Sequence, residues 1–173
     1  LRKMLDEKKS PFTAIIGGSK VSTKMNILQN LLNKVDNLII GGGMSYTFLN
    51  AMGVNIGNSL FEEDMIPVAK DIIKKAHLKG VDLYVPIDNI CADRFAEDAN
   101  IFVTTENHIP DGWVGMDIGP KTIQKFSHVI NQSATILWNG PVGVFEFENF
   151  GKGTQALSIA VSGSTLGGAF SLI

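Results

Sequence analysis

Apolar residues along the chain fall into short, nearly unbroken runs that alternate with longer stretches in which they recur every three or four positions. The runs are FTAIIG (12–17), VDNLIIGG (35–42), VDLYVPID (81–88), ATILWNG (134–140) and AFSLI (169–173). Runs of this length, closed by glycine or a turn residue, read as strands buried on both faces. Helical spacing fills the gaps. In SKVSTKMNILQNLLNK, Met25, Leu28 and Leu32 share a face, and Ser22 is the expected N-cap. In EEDMIPVAKDIIKKAHLKG, Met65, Val68, Ala69, Ile72, Ile73 and Ala76 form an apolar stripe, with acids before it, lysines after it and Gly80 as its stop. Pro120 opens a further helix at its first position and turns Ile123, Phe126 and Ile130 inward, and a weaker one starts near GKGTQALSIAVSG. Strands that alternate with helices predict βαβ units. The expected fold is α/β: a Rossmann-like open, mainly parallel sheet with helices on both faces.

Three of the predicted strands run straight into glycine-rich loops: GGSK (17–20), GGGM (41–44) and NGPVG (139–143). In the second case, KVDNLIIGGGMSYTF, a helix resumes at once after three glycines. Glycine is the costliest residue to order, so its repetition at these junctions implies a need for bare backbone. Open parallel sheets bind ligands outside the carboxyl ends of their strands, which places all of these loops on one edge. There a flat ring or a phosphate can approach the main chain, and the following helix offers unpaired N–H groups. Gly18, Gly43 and Gly143 are expected to gather there. Lys20 and Lys24 lie four residues apart across a helix start, so both ammonium groups can lean toward an anion. A charge-assisted hydrogen bond is worth about 1.5–3 kcal/mol, more than the dipole contributes, so the lysines would dominate phosphate affinity.

The common nucleotide signatures fail. GGGMSY lacks the third glycine of a dinucleotide fingerprint, and GKGT (151–154) is no P-loop because Glu146 stands where the first glycine belongs. A Rossmann-type domain of an NAD-dependent oxidoreductase remains the alternative. It wants an acidic residue at the end of the second strand, where this chain has Gly41, Gly42 and Gly43.

Composition narrows the class further. The 173 residues suit one domain, and 45% hydrophobic against 18% charged residues is too apolar for disorder. A net charge of −2 with scattered lysines offers no basic face to a nucleic acid or an anionic membrane, and no apolar run approaches a spanning helix. Cys91 is the one cysteine, which excludes an intrachain disulfide and favours a reducing compartment; it reads as a small buried hydrophobe. His77, His108 and His128 are widely spaced, so the chain itself is expected to bind no metal, and any magnesium would be carried by phosphates. LRKMLDEKKS lacks the apolar core of a signal peptide and reads as an internal start.

From about Pro11 to the last residue, FTAIIGGSKVSTK, LIIGGGMSYTF, IGNSLFEED, IPDGWVGMDIGPKT and ILWNGPVGVFEFENFGKGT stand in an order and spacing that resembles the C-terminal, nucleotide-binding domain of phosphoglycerate kinases. WNGPVGVFE and DIGP are the most specific of these segments. The resemblance implies phosphoryl transfer between ATP and 3-phosphoglycerate, giving ADP and 1,3-bisphosphoglycerate, with magnesium on the nucleotide. It implies that Gly18, Ser19, Gly42 and Gly43 form the close-approach walls of an adenine slot, with Ser19 where alanine is common. Leu60, Phe95, Gly115, Met116, Pro141 and Val144 would line the rest, together with Gly143 of the same loop. Glu146 would accept from the ribose hydroxyls, Lys24 would hold the inner phosphates, Asn139 would donate further out, and Lys20 would follow the transferring group as the catalytic lysine. Trp113 and Trp138 are expected to pack. A carboxylate with a pKa of about 3–4 is already ionised at neutral pH, so such an acceptor needs no general base, in keeping with the lack of a His or Ser constellation. In such kinases an N-terminal domain supplies the 3-phosphoglycerate site and a catalytic arginine, and a later glycine-rich loop with an aspartate positions phosphates and magnesium. Residues 1–173 would then be a nucleotide-binding domain incomplete at its C-terminal end, monomeric and cytoplasmic with a plastid form as the alternative, that binds ADP or ATP weakly and turns nothing over by itself.

Overall fold

The computed structural model describes residues 9–173; the segment 1–8, part of the stretch read above as an internal start without a leader core, lies outside them. In chain order the elements are β1 (Phe12–Ile16), α1 (Val21–Leu31), β2 (Asn37–Ile40), α2 (Met44–Ala51), α3 (Ile66–Leu78), β3 (Asp82–Tyr84), β4 (Asn89–Ala92), β5 (Ile101–Val103), β6 (Val114–Ile118), α4 (Pro120–Asn131), β7 (Thr135–Asn139), α5 (Lys152–Leu166) and β8 (Phe170–Leu172). Short 3₁₀ turns at Glu63–Met65 and Glu148–Phe150 lead into α3 and α5.

Five strands form one sheet in the order β3-β2-β1-β7-β8, and every pairing in it is parallel. The side-chain alternation of the strands feeds two separate cores. Ala14, Ile16, Leu38 and Ile40 face α1, α2 and α3 through Leu28, Leu31, Met44, Phe48, Ala69 and Ile72. Ile15, Ile39, Ile136 and Trp138 face α4 and α5 through Phe126, Ile130, Leu157 and Val161. Helices on both faces are the reason β1, apolar but for Thr13, shows no alternation and is buried at every position. The stripe predicted on α3 packs inward, and Gly80, at φ +68°, ends that helix in the left-handed conformation that glycine adopts without strain.

Three expectations need correction. AFSLI and VDLYVPID do form strands, but β8 and β3 lie at the two edges of the sheet, with Phe170 57% and Leu172 36% exposed and no residue of β3 buried, so neither is a buried strand. Ser22 is not the N-cap of α1. The helix starts one residue earlier, Lys20 occupies the cap position with extended backbone, and no side chain of the local sequence caps it. Finally, residues 89–118 form a second, antiparallel sheet in the order β5-β4-β6, which the apolar pattern did not reveal. Its strands are short, carry Asn89 and Asp117 among their buried residues, and shift register between Ile90 and Cys91, so no alternation survives to be read.

Candidate functional site

The loops that follow β1, β2 and β7 meet at the carboxyl edge of the parallel sheet, and backbone hydrogen bonds stitch them together. Gly17 N–H donates to Asn139 O at 2.9 Å, Gly18 N–H to Pro141 O at 3.0 Å, Gly42 N–H to Val142 O at 3.1 Å and Met44 N–H to Gly18 O at 3.0 Å. This contact explains much of the glycine. A methyl group on Gly17 would stand 2.0 Å from Pro141 O, and one on Gly42, at φ +69°, would stand 2.5 Å from Gly18 O. These residues are bare so that loop can lie on loop. Gly18 differs: at φ +121° its added methyl would meet only the Lys24 side chain, at 3.4 Å, so its open side faces outward.

Around this junction the structure assembles most of the residues singled out from the sequence. Lys24 reaches across from α1 and its ammonium donates to the Asn139 side-chain oxygen, and the Asn139 amide group has no hydrogen-bond acceptor among the described residues. Ser19 and Lys20 are exposed beside it, and neither lysine is within ion-pair distance of a carboxylate among the described residues. A methyl group on Gly43 would meet Ser19 O at 3.2 Å and the Leu60 side chain at 3.6 Å, and Leu60 is 54% exposed. The small sheet supplies another wall. Gly115 N–H donates to Ser59 Oγ at 2.9 Å, one residue from Leu60, and Val144 N–H donates to Met116 O at 2.8 Å. Phe95 is 65% exposed and stacks against Phe147 at 5.4 Å, in the turn that also carries Val144 and Glu146. Core packing is thus no account of Leu60 or Phe95. The Glu146 carboxylate is exposed and makes no hydrogen bond or ion pair among the described residues. Trp138 packs in the core and donates its indole N–H to Gly140 O at 2.7 Å, while Trp113 stacks with Phe102 at 5.4 Å.

Two residues that sequence reasoning missed organise the site. Glu62 reaches the N-terminus of α1, where Ser22 N–H and Ser22 Oγ–H donate to its carboxylate. Burial pushes the Glu62 carboxyl up, but hydrogen bonds from Ser22 and from the Val21 amide, with the nearby Lys20 charge, outweigh it and leave it below the ordinary value. The helix end expected to wait for an anion already holds one. Asp117, on β6, is 1% exposed, and burial pushes its carboxyl up to about 7 against the pull of hydrogen bonds from Gly153 and Ile118. Methyl groups on Gly143 or Gly153 would come within 2.2 Å and 2.3 Å of its Oδ1, so those glycines make room for Asp117. Gly153 N–H, in the GKGT segment, is committed to the same carboxylate at 2.8 Å. An aspartate inside an otherwise apolar run, VGMDI, was the available signal. Cys91 is buried as expected, and burial pushes its thiol up to about 12.

An open parallel sheet sandwiched between helices, with glycine loops from adjacent strands interlocked at its carboxyl edge, defines a doubly wound α/β domain with its ligand edge at the strand ends. The chain belongs to the phosphoglycerate kinase family, a family of phosphotransferases, whose model matches residues 1–173. It is 56% identical over 173 residues to the phosphoglycerate kinase of Porphyromonas gingivalis, and 51% identical over 164 residues to that of Clostridium tetani. Those alignments cover 100% and 95% of this chain and 41% of each relative, so the chain spans about two-fifths of the length of the curated relatives it matches. The solved structure of phosphoglycerate kinase from Coxiella burnetii superimposes with a TM-score of 0.93 at 44% identity, covering 98% of this chain and 43% of that one. The Pyrococcus horikoshii enzyme, at 23% identity and a TM-score of 0.79 over 94% of this chain and 42% of that one, shares the fold.

Proposed function

We propose that this chain is the ATP- and ADP-binding part of a phosphoglycerate kinase, which moves a phosphoryl group between ATP and 3-phosphoglycerate in glycolysis. The observation that carries the reading is the junction of three glycine loops with Lys20, Lys24 and Asn139 at one sheet edge. Adenine lies between Gly18–Ser19 and Gly42–Gly43 on one side and Leu60, Gly115, Met116, Pro141, Gly143 and Val144 on the other, with Phe95 at the rim. Glu146 accepts from the ribose hydroxyls. Lys24 holds the inner phosphates, Asn139 donates its amide group further along, and Lys20 follows the transferring phosphoryl group as the catalytic residue. Because the carboxylate acceptor is already ionised, the protein's task is alignment and charge stabilisation rather than proton transfer.

Among the described residues no three His, Cys, Asp or Glu stand together as a metal site. These side chains therefore do not fit a magnesium cage, and the reading leaves the ion to the phosphate oxygens. The 3-phosphoglycerate site and the catalytic arginine belong, in this reading, to another part of the whole protein, which works as a monomer in the cytoplasm, or in a plastid as the alternative. No helix among the described residues is long and apolar enough to cross a membrane.

Calorimetric titration of the chain with ADP tests the assignment. Weak, saturable binding is expected, and Lys24→Ala should reduce it by about tenfold, the lower end of what a charge-assisted hydrogen bond supplies. NAD binding tighter than ADP binding would replace this reading with the dinucleotide one. A coupled assay with 3-phosphoglycerate should detect no turnover by this chain; measurable turnover would refute the need for a second part.

A further inference from the structure

The loop that carries Pro141, Gly143 and Val144 is suspended between two supports. Val142 N–H donates to Thr154 Oγ1 of α5 at 3.2 Å, and Val144 N–H donates to Met116 O of β6 at 2.8 Å. Asp117 sits at the joint between those supports. Its Oδ2 accepts Gly153 N–H from the first turn of α5 at 2.8 Å, its Oδ1 accepts Ile118 N–H at 2.8 Å, and Gly143 lies against it with no room for a side chain. Strand β6, the 139–144 loop and the start of α5 thus close on one buried carboxylate.

We propose that Asp117 is a positioning residue of the nucleotide site, whose ionised carboxylate pins the 139–144 loop and the first turn of α5 against β6 and so sets how tightly ADP is held. This rests on the reading of the sheet edge as an adenine nucleotide site. An ionised carboxylate is the better acceptor for an amide at a helix N-terminus. Protonation weakens that bond and puts an O–H donor where the carboxylate had only accepted. The other titratable groups around Asp117 do not compete near neutral pH. From α2 comes the Tyr46 phenol, pushed well up by burial and by the neighbouring Cys91 and Asp117, and from β4 comes the Cys91 thiol, pushed up by burial. Lys152 on α5, and Glu146 and Glu148 beyond the loop, are exposed to solvent. Asp117 itself is held near 7, so its charge changes across the physiological range.

The experiment compares the chain with Asp117→Asn, an isostere that mimics the protonated form. ADP affinity in excess magnesium and the amide NMR shifts of Gly143, Val144 and Gly153 are followed from pH 6 to pH 8. In the unsubstituted chain the amides should titrate with a midpoint near neutral, and ADP binding should weaken severalfold from pH 8 to pH 6. Asp117→Asn should abolish the amide titration, match the unsubstituted chain in ADP affinity at pH 6 and fall severalfold below it at pH 8; running both side by side cancels the titration of ADP itself. Equal pH dependence of ADP binding in the two proteins, with both folded by thermal melting, overturns the proposal while the nucleotide reading stands. Titrating amides without ADP binding at any pH overturns both, and amides that do not titrate overturn the positioning role even where ADP binds.

Discussion

Asp117 also makes a prediction about stability, and its sign follows from burial. A carboxyl held near 7 in the native state, against about 3.9 in an unfolded chain, binds its proton more tightly when folded. Between about pH 4 and pH 7 the native protein therefore holds a proton that the unfolded chain has lost, so this group's contribution to stability falls as pH rises through that window and is flat above it. Asp117→Asn should remove the slope. By urea denaturation the variant should come close to the unsubstituted chain near pH 4.5 and exceed it by about 3 kcal/mol at pH 8, because the roughly 2.5 pH units between pH 4.5 and the folded value are worth about 1.4 kcal/mol each. Equal stability at pH 8 would show that the hydrogen bonds offset the desolvation in full. A side chain that lowers stability in the state at which it works is the usual mark of a functional position. The sequence displayed this residue inside an apolar strand but gave no hint of its partners, because Gly143 and Gly153 come to it from separate elements. The same limit applies to the glycines of the three loops. Their abundance at strand ends was legible, whereas their main cause, loop lying on loop at Gly17 and Gly42, depends on pairings between strands distant in sequence.

At the level of elements, α1 shows how a helix end can be completed from elsewhere. It has no acidic residue in its first turn and no local capping side chain, and Glu62 supplies both from the segment that also bears Leu60. In the proposed reading, phosphate affinity at this edge comes from Lys20 and Lys24 rather than from the α1 dipole, which already has its anion. The Ser22–Glu62 contact ties the segment that bears Leu60 to the helix that bears Lys24. Glu62→Ala should destabilise the chain by about 1 kcal/mol at pH 7, as loss of an N-cap does, and Glu62→Gln by less because it keeps an acceptor. Since the Glu62 carboxyl is held below its ordinary value, the stability it provides is complete above that value and disappears as pH falls through the folded one. The alanine variant and the parent should therefore converge in urea midpoint as the pH falls below the folded value; a gap that persists at the acid end of the titration would assign the effect to packing. Local pattern sufficed for the parallel strands, which are nearly unbroken apolar runs, and for the long helices, which carry an apolar period. It missed β4 and β6, which carry the buried polar residues Asn89 and Asp117, and β5, whose three apolar residues are all exposed, so none of them has a period to read.

For the whole molecule, the consequence is that the candidate site belongs to neither sheet alone. Gly18, Gly43 and Pro141 ride on the parallel sheet, and Gly115 and Met116 on the antiparallel one; Ser59 and the Val144–Met116 hydrogen bond join the two. Behind the wall, Tyr46 and Leu49 of α2 pack with Cys91 of β4, so the sheets also share a core. A ligand that fills the slot must touch both, and it stabilises the folded form by mass action, by about 2.7 kcal/mol at a hundredfold excess over Kd. Hydrogen exchange with saturating ADP should therefore slow at Gly18 and Gly43 and at Gly115 and Met116 together, with a rise in melting temperature. Adenosine should reproduce the pattern at higher concentration, because it lacks only the groups that the lysines recognise. Slowing confined to the loops of the parallel sheet would mean that the antiparallel sheet is a bystander, and the adenine position would have to be redrawn around Gly18, Gly43 and Pro141 alone.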